Sequence, residues 1–261
     1  MMLSSTDASK AFELVAAGAS DVGCVRSRNE DSFFVDVEHG LFIVADGLGG
    51  HNAGDKAAQM ATQYLPGIVQ HKLPDAPYPC SSGDADIATL LAKSLEEVSA
   101  LILETGNSQR ELKGMGTTVV AALVTSHHVH VAYMGDSRGY LLRGSGMQQL
   151  TEDHSLVALL LRHGEITQQE AEDHPARGRL SRFAGMSGEV TAATKTIALE
   201  AGDRVLLCTD GLWGTVCDVD IKKMLMRDEP PEDVCRNLIE AGKSAGGQDN
   251  LTAVIVDLEM I

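Results

Sequence analysis

The chain has 261 residues, of which 44% are hydrophobic and 22% charged, an ordinary globular composition that is sufficient for a substantial core. Its formal net charge of −16 argues against a nucleic-acid-binding protein and against a polybasic membrane-binding protein. No apolar run approaches the roughly 18 residues of a membrane-spanning helix, so none is expected, and the N-terminus lacks a signal-peptide pattern. The five cysteines lack CxxC spacing, and several lie in apolar runs, which predicts reduced, buried thiols in a cytoplasmic protein.

The first half of the chain is predicted to alternate between strands and helices. Continuous or alternating apolar residues indicate the strands, and apolar residues at helical spacing indicate the helices. The predicted segments, in chain order, are a polar tail (1–12), a strand (13–18), a loop running into a strand (20–38), a strand (41–45), a helix (53–69), a proline-containing surface loop (71–83) and a long amphipathic helix (84–111).

The second half is predicted to begin with an antiparallel meander of three short strands separated by Gly/Ser turns. No internal repeat and no domain linker is found, so one domain is expected over 1–261. Strands in runs and helices in runs favour an α+β fold over a parallel α/β sheet. The predicted segments are the meander (117–125, 128–134, 139–143), a helix (155–163), an irregular exposed stretch (166–184), two strands (190–199, 204–209), two helices (218–227, 231–244) and a last strand (251–258).

One acid lies where a buried strand is predicted to end. Asp46 follows the apolar run 41–45, and four glycines follow it within eight residues, so that the backbone can turn sharply and approach a bound group closely. An acid in this position, followed by bare backbone, suits a hard cation that binds carboxylate and carbonyl oxygens. The alternative is an ordinary strand-to-helix turn in which Asp46 caps the helix.

Two further acids occupy similar positions. Asp210 follows the strand predicted over 204–209, and Asp249 precedes the last strand. If the last strand is antiparallel to the other two, all three carboxylates emerge at one edge of the sheet, where they repel each other unless a cation binds them. This predicts an oxygen-rich Mg²⁺ or Mn²⁺ site, with common turn chemistry as the alternative for each acid taken singly.

A fourth acidic point, Glu30 and Asp31, lies a few residues after Arg26. A guanidinium group beside a metal cluster would pair with a phosphate through two parallel hydrogen bonds. The alternative for Arg26 is a solvated surface charge.

These residues belong to six motifs that resemble, in order, those of the bacterial branch of the PPM family, the metal-dependent protein Ser/Thr phosphatases of type 2C. Single pieces such as Asp-Gly are uninformative, but the ordered set is specific and extends over most of the chain. The motifs are Arg26 with Asn29-Glu30-Asp31, Asp46-Gly47-Leu48-Gly49-Gly50-His51, Met115-Gly116-Thr117-Thr118, Gly135-Asp136-Ser137-Arg138, Thr209-Asp210-Gly211 and Asp249-Asn250.

The resemblance implies a four-layer α-β-β-α sandwich with two antiparallel sheets flanked by helices and a two-metal centre at one end. It implies two Mn²⁺ or Mg²⁺ ions that lower the pKa of a shared water, which attacks the phosphorus in line. It also implies a role for each matching residue: Asp46 bridges both ions, the Gly47 carbonyl binds one, Asp210 and Asp249 bind the other, Glu30 and Asp31 hold metal-bound waters, Arg26 binds the substrate phosphate, and Asp136 matches a third, weaker metal position.

The sequence departs from the family pattern at two places. Many relatives carry an acid four residues after the second Asp-Gly aspartate, where this chain has Gly214, so a third ion would be held more weakly or differently. Eukaryotic relatives have a His after the first Asp-Gly, where this chain has Leu48, and the general-acid role of that His is not transferred to His51.

The stretch 173–185 resembles the family's variable flap, whose arginines (Arg177, Arg179, Arg182) either meet acidic or phosphorylated substrates or are solvated. Trp213 is predicted to be a packing residue.

The predicted function is therefore hydrolysis of phospho-Ser and phospho-Thr on proteins, opposing a bacterial Ser/Thr kinase. The expected partners are phosphorylated proteins, with no nucleic acid and no membrane, and the chain is expected to be a monomer. One alternative is a catalytically silent PPM-like module that binds phosphoproteins, although such modules usually lose metal-binding acids that this chain keeps. The other is a metal-dependent hydrolase of small phosphate esters.

Overall fold

In residues 12–49, 53–73 and 84–260, which the computed structural model describes, ten strands form two antiparallel sheets of five. The first sheet contains, in spatial order, β1 (Phe12–Asp21), β10 (Leu251–Met260), β9 (Arg204–Cys208), β6 (Arg138–Arg143) and β7 (Gly146–Gln149). The second contains β2 (Asp31–Asp36), β3 (Leu41–Leu48), β4 (Gly116–Val124), β5 (His128–Met134) and β8 (Ala193–Ala198).

Helices flank the two sheets. They are α1 (Gly54–Lys72), α2 (Asp84–Ser108), α3 (Leu156–Arg162), α4 (Gln168–Glu172), α5 (Asp210–Trp213), α6 (Asp218–Leu225) and α7 (Pro231–Ser244), with a 3₁₀ turn at Arg110–Leu112.

The layers follow from the alternation of side chains along buried strands. In β3, Ile43 packs with α1 and α2, whereas Phe42 and Val44 face the other sheet. In β10, Ile255 packs with α5, α6 and α7, whereas Val254 lies between the sheets. Three hydrophobic clusters therefore separate four layers, helices–sheet–sheet–helices, which confirms the predicted α-β-β-α sandwich and places both sheets at the centre of the molecule.

The predicted meander is wrong at its third strand. β4 and β5 pair as expected, but β6 lies in the other sheet, where it pairs with β7 and β9. The three residues between β5 and β6 have the length of a hairpin loop, yet here they carry the chain from one sheet to the other.

Other predicted boundaries also change. Strand β3 continues through Asp46 to Leu48, because Gly47 and Leu48 still pair with β4, so Asp46 does not mark the strand end. The stretch 166–184 is not wholly irregular or exposed, since it contains α4 and its last residue, Ala184, is buried. Strand β7 was not predicted.

Of the four cysteines in the part of the chain that the structure describes, two are buried, as predicted, and two are not. Cys208 and Cys235 are buried, and burial raises the pKa of the Cys235 thiol to about 12, whereas Cys24 and Cys217 are exposed. Cys80, His51, most of the loop predicted over 71–83 and all but the last residue of the predicted tail 1–12 lie outside the described residues. Among the helices that the structure describes, none has the length and apolar character needed to cross a membrane.

Candidate metal centre

The centre is built around two aspartates that face each other across neighbouring strands. Asp31 on β2 lies directly opposite Asp46 on β3, so both side chains lie on the same face of the sheet. Like charges in this position destabilise a sheet unless something neutralises them. The backbone around Asp46 is fixed by Thr118 Oγ1, which accepts from the Asp46 N–H at 3.2 Å, and by Thr117 Oγ1, which donates to the Asp46 carbonyl at 2.8 Å.

Asp31 connects the two sheets through hydroxyl groups. Its Oδ2 accepts hydrogen bonds from Thr252 Oγ1 on β10, at 2.6 Å, and from Thr209 Oγ1 after β9, at 2.9 Å. The sequence predicted a supporting role for Asp31 but no role for either hydroxyl. The Asp31 carboxylate is therefore held in position by the opposite sheet.

Asp210 and Asp249 meet because β9 and β10 are antiparallel, which was the condition for the two carboxylates to lie together. Asp210 begins α5 directly beyond the end of β9, and Asp249 lies just before the start of β10. Gly211 is required between them, since a Cβ there would overlap the carbonyl oxygen of Asn250. The acids do not lie at one edge of a single sheet, however: Asp46 comes from the second sheet, and the cluster spans both.

Asn250 connects the segment before β2, which contains Arg26 and Glu30, to the start of β10 beside Asp249. Its Oδ1 accepts from the Glu30 N–H at 2.8 Å, and its Nδ2 donates to the carbonyls of Val22 and Arg28 at 3.0 and 2.8 Å. Asn250 is itself buried. The amide thus fixes the loop that carries Arg26 and Glu30, a role that the sequence analysis did not assign.

Arg26 lies at the rim of the cluster. Its Nη2 donates to Asp249 Oδ2 at 2.7 Å, and the two side chains are 55% and 37% exposed. An ion pair this exposed contributes about 0–1 kcal/mol, so a phosphate can replace the carboxylate at small cost.

Gly47 lies where three backbone segments meet. Its N–H donates to the Glu30 carbonyl at 3.1 Å, and a Cβ at this position would overlap the carbonyls of Gly54 and Glu30. The Glu30 carboxylate lies against Gly54, at the start of α1. Gly47 is thus required by close packing of the chain against itself, whereas the run of glycines predicted a close approach to a bound group.

Asp136 completes the cluster from the loop between β5 and β6. Its carbonyl accepts from Trp213 Nε1 at 3.0 Å, and the Trp213 ring packs against the guanidinium of Arg138, whose Cζ lies 3.5 Å from the ring centroid. Arg138 in turn forms a bidentate pair with Asp153, at 2.9 and 2.7 Å. Trp213 therefore does more than fill space, because it orients the loop that carries Asp136.

The acids perturb each other strongly. Burial, and then the negative charges of Asp31 and Asp210, raise the pKa of Asp46 well above its ordinary value. Burial raises the pKa of Asp31 to about 7 although two threonines stabilise its charged form, and burial with the charge of Asp210 raises the pKa of Asp136 to about 7. The pKa of Asp210 is raised by burial and then by Asp249, and a hydrogen bond with Asp46 opposes the increase.

These observations test whether the residues fit a divalent metal. Within 12–49, 53–73 and 84–260, no three His, Cys, Asp or Glu side chains are already arranged as ligands of one ion. The acids are nevertheless close neighbours, since Asp46 and Asp210 share a hydrogen bond and four other aspartates raise the pKa of Asp46. A carboxylate reorients by rotating about its side-chain torsions while the backbone stays in place, so these neighbouring aspartates can turn towards a shared ion. The oxygen-only donors fit Mg²⁺ or Mn²⁺, which would neutralise their repulsion.

Comparison with known proteins identifies the family. A model of the protein phosphatase 2C family matches residues 25–255. The serine/threonine phosphatase stp of Listeria innocua is 37% identical over 245 residues, which cover 93% of this chain and 95% of that protein. The chain belongs to the protein phosphatase 2C family. This confirms the family predicted from the ordered motifs.

Solved phosphatase 2C relatives share the fold over almost the whole chain. The S. agalactiae serine/threonine phosphatase superposes with a TM-score of 0.84 at 30% identity, over 94% of this chain and 100% of that one. The catalytic domain of the serine/threonine protein phosphatase PstP, in complex with two manganese ions, superposes with a TM-score of 0.81 at 34% identity, over 95% and 99% of the two chains. The predicted architecture is therefore that of phosphatases in this family.

Proposed function

We propose that this chain is a metal-dependent protein phosphatase that hydrolyses phospho-Ser and phospho-Thr esters through the cluster of Asp46, Asp210 and Asp249. The observation that carries the proposal is the convergence of acids from both sheets into one buried, mutually repelling group beside a half-exposed arginine. We assign Asp46, the Gly47 carbonyl, Asp210 and Asp249 as metal ligands. Mn²⁺ or Mg²⁺ bound there would supply a water of lowered pKa and neutralise charge on the phosphoryl group.

The protein's own groups then bind and orient the substrate. Arg26 exchanges its exposed pair with Asp249 for the substrate phosphate, which its guanidinium matches in geometry. Glu30 and Asp31 would hold metal-bound waters, and Asp31 is already positioned for this by Thr209 and Thr252. Asp136 is the candidate ligand of a third, weaker ion.

Gly214 bears on that third position. Its N–H donates to the Asp210 carbonyl at 2.7 Å, and a Cβ there would lie 2.6 Å from the same oxygen, so a larger residue requires a shift of α5. We infer that the third ion, if this chain binds one, relies on Asp136 without help from position 214.

A catalytically silent phosphoprotein-binding module is the less favoured alternative, because the chain keeps the acids that we propose as metal ligands, and they lie in one cluster with Arg26 beside it. The test is turnover of an aryl phosphate and of a phosphothreonine peptide after chelation, with Mn²⁺ or Mg²⁺ then restored. We expect chelation to abolish both activities and the metal to restore them. Full turnover in the chelator would refute the proposal, and a preference for small phosphate esters over the peptide would favour the hydrolase alternative.

Substitution of Arg26 tests its assigned role. We expect Arg26→Ala to raise KM for a phosphopeptide by about tenfold, with a smaller decrease in kcat, since a charge-assisted hydrogen bond contributes about 1.5–3 kcal/mol. The matched control is Arg28→Ala, which removes the same charge two residues away and should leave KM within about twofold of the wild-type value. A change in kcat alone would contradict a binding role for Arg26.

The remaining assignments are part of the same proposal. We propose that residues 1–261 form one phosphatase domain, that it acts as a monomer in the cytoplasm, and that it opposes a bacterial Ser/Thr kinase by dephosphorylating the kinase and its targets. We expect its partners to be phosphorylated proteins and not nucleic acids or membranes, since the chain carries a net charge of −16.

A further inference from the structure

A histidine outside the metal centre links the Asp136 loop to the flap-like stretch 173–185. The backbone N–H of His154 donates to the Gly135 carbonyl at 2.9 Å, and its carbonyl accepts from the Ser181 N–H at 2.8 Å. The imidazole stacks on Tyr133, with ring centroids 5.1 Å apart. The ring is therefore fixed by contacts on several sides.

One hydrogen bond determines where the imidazole proton lies. The Gly135 N–H points at His154 Nδ1 at 3.1 Å, and a backbone N–H can only donate. Nδ1 must therefore be unprotonated, which places the proton of the neutral ring on Nε2. Burial and the charges of Arg182 and Arg162 lower the pKa of His154 to about 4, so the ring is neutral near pH 7.

Nε2 then faces a second donor. Arg182 Nη1 lies 3.4 Å from His154 Nε2, and a guanidinium group has no acceptor atom for a hydrogen bond from the Nε2–H. If the proton were on Nδ1 instead, two N–H groups would face each other at Gly135, and the buried Gly135 N–H cannot reorient. The half-exposed Arg182 side chain can reorient, so the tautomer with the proton on Nε2 is favoured. The N–H groups of His154 Nε2 and Arg182 Nη1 therefore lie side by side at a half-exposed position without bonding to each other.

Arg182 also keeps its charge available. Arg138 is neutralised by Asp153, but Arg182 has no carboxylate within salt-bridge distance in the part of the chain that the structure describes. Two converging donors, one of them charged, match the oxygen atoms of a carboxylate or phosphate.

His154 and Arg182 lie outside the acidic cluster, and backbone hydrogen bonds connect the segment of Arg182 to it. Ala184, two residues after Arg182, exchanges backbone hydrogen bonds with Thr117 at 2.9 and 3.0 Å, and Thr117 Oγ1 donates to the Asp46 carbonyl. We propose that His154 and Arg182 form a second oxyanion site, which binds an acidic group of the phosphoprotein substrate close to the phosphorylated residue. This inference rests on the proposed phosphatase function.

The kinetic test compares phosphothreonine peptides that differ only in a neighbouring residue: Gln, Glu or a second phosphoserine. We expect kcat/KM to be about tenfold higher for the acidic peptides, and Arg182→Gln to bring the ratio of acidic to neutral peptides close to one. The larger gain with Glu or with phosphoserine identifies which oxyanion the site prefers. The matched control, Arg179→Gln, removes an exposed charge from the same stretch and should preserve the ratio. A wild-type ratio near one, or equal loss of the ratio in both variants, would overturn the proposal.

A second readout does not depend on activity. Long-range ¹H–¹⁵N spectra at pH 7 should show His154 protonated at Nε2 only, and sodium sulfate should shift the Nε2 resonance in the wild-type protein more than sodium chloride of equal ionic strength does. Arg182→Gln should remove that difference. Protonation at Nδ1, or the absence of a sulfate-specific shift, would overturn the oxyanion site even if the protein is an active phosphatase. A sulfate-specific shift in a protein without turnover would support the oxyanion site and refute the proposed phosphatase function.

Discussion

Asp46→Asn is expected to remove activity and, at the same time, to stabilise the metal-free protein. Asp46 is buried beside four other aspartates whose charges raise its pKa. If Asp46 is the metal ligand that we propose, its loss should lower kcat for an aryl phosphate by about 10³-fold, because metal ions contribute several kcal/mol to such reactions and about 1.4 kcal/mol corresponds to a factor of ten. The same substitution removes a repelling carboxyl group, so the melting temperature without metal should rise.

The two opposite effects are measured together, by Mn²⁺-dependent turnover and by calorimetry of the chelated protein. Glu104→Gln on the exposed face of α2 is the control for loss of a negative charge, and it should change neither quantity appreciably. Turnover within tenfold of the wild-type value would remove Asp46 from the centre. A lower melting temperature in Asp46→Asn would show that its carboxylate stabilises the fold through contacts other than the metal.

The metal-free protein is expected to lose stability as the pH rises from about 5 to 7.5. In the folded state the pKa values of Asp31 and Asp136 are raised from 3.8 to about 7, so between these values the folded protein binds more protons than the unfolded chain. The stabilisation from these protons is fully present below the unfolded value and is lost as the pH rises through the folded one. The melting temperature should fall by at least about 5 °C, since one pKa unit corresponds to about 1.4 kcal/mol and each kcal/mol to about 2–4 °C.

Manganese should reverse this dependence, because it replaces the protons on the carboxylates and binds more tightly as they ionise. The increase in melting temperature with Mn²⁺ should therefore be larger at pH 7.5 than at pH 5. General repulsion in an acidic protein acts in the same direction, so the comparison is made against Asp46→Asn, in which the pH dependence should be smaller. A metal-free melting temperature that rises across this range in the wild-type protein would contradict the electrostatic account of the cluster.

Local patterns in the sequence predicted much of the fold. Helix α7 has the predicted bounds, because Pro231 begins it and apolar residues at helical spacing face the sheet. The sequence also carries a signal for α4, because Thr167 and Glu170 form a capping box in which each side chain bonds the other's backbone N–H. The motifs that carry the site were found because each acid is adjacent to a glycine or a strand end.

The rest depends on long-range pairing, which local patterns do not encode. Nothing in the sequence near Asp31 indicates that it lies opposite Asp46, since that register is set by the full length of β2 and β3. The hydrogen bonds of Asn250 to the loop around Glu30 join residues some 220 positions apart. The passage of β6 into the other sheet is likewise a property of the assembled layers.

We propose that Asp46, Asp210 and Asp249 converge on divalent metal ions. Anomalous diffraction at the manganese edge, from crystals of the wild-type protein grown with Mn²⁺, locates such ions without relying on activity. We expect two strong peaks with an Asp46 carboxylate oxygen at about 2.0–2.2 Å from each, Asp210 and Asp249 on one of them, and Arg26 at the open side. Peaks elsewhere, or a cluster without manganese in which these three side chains point apart, would contradict the account.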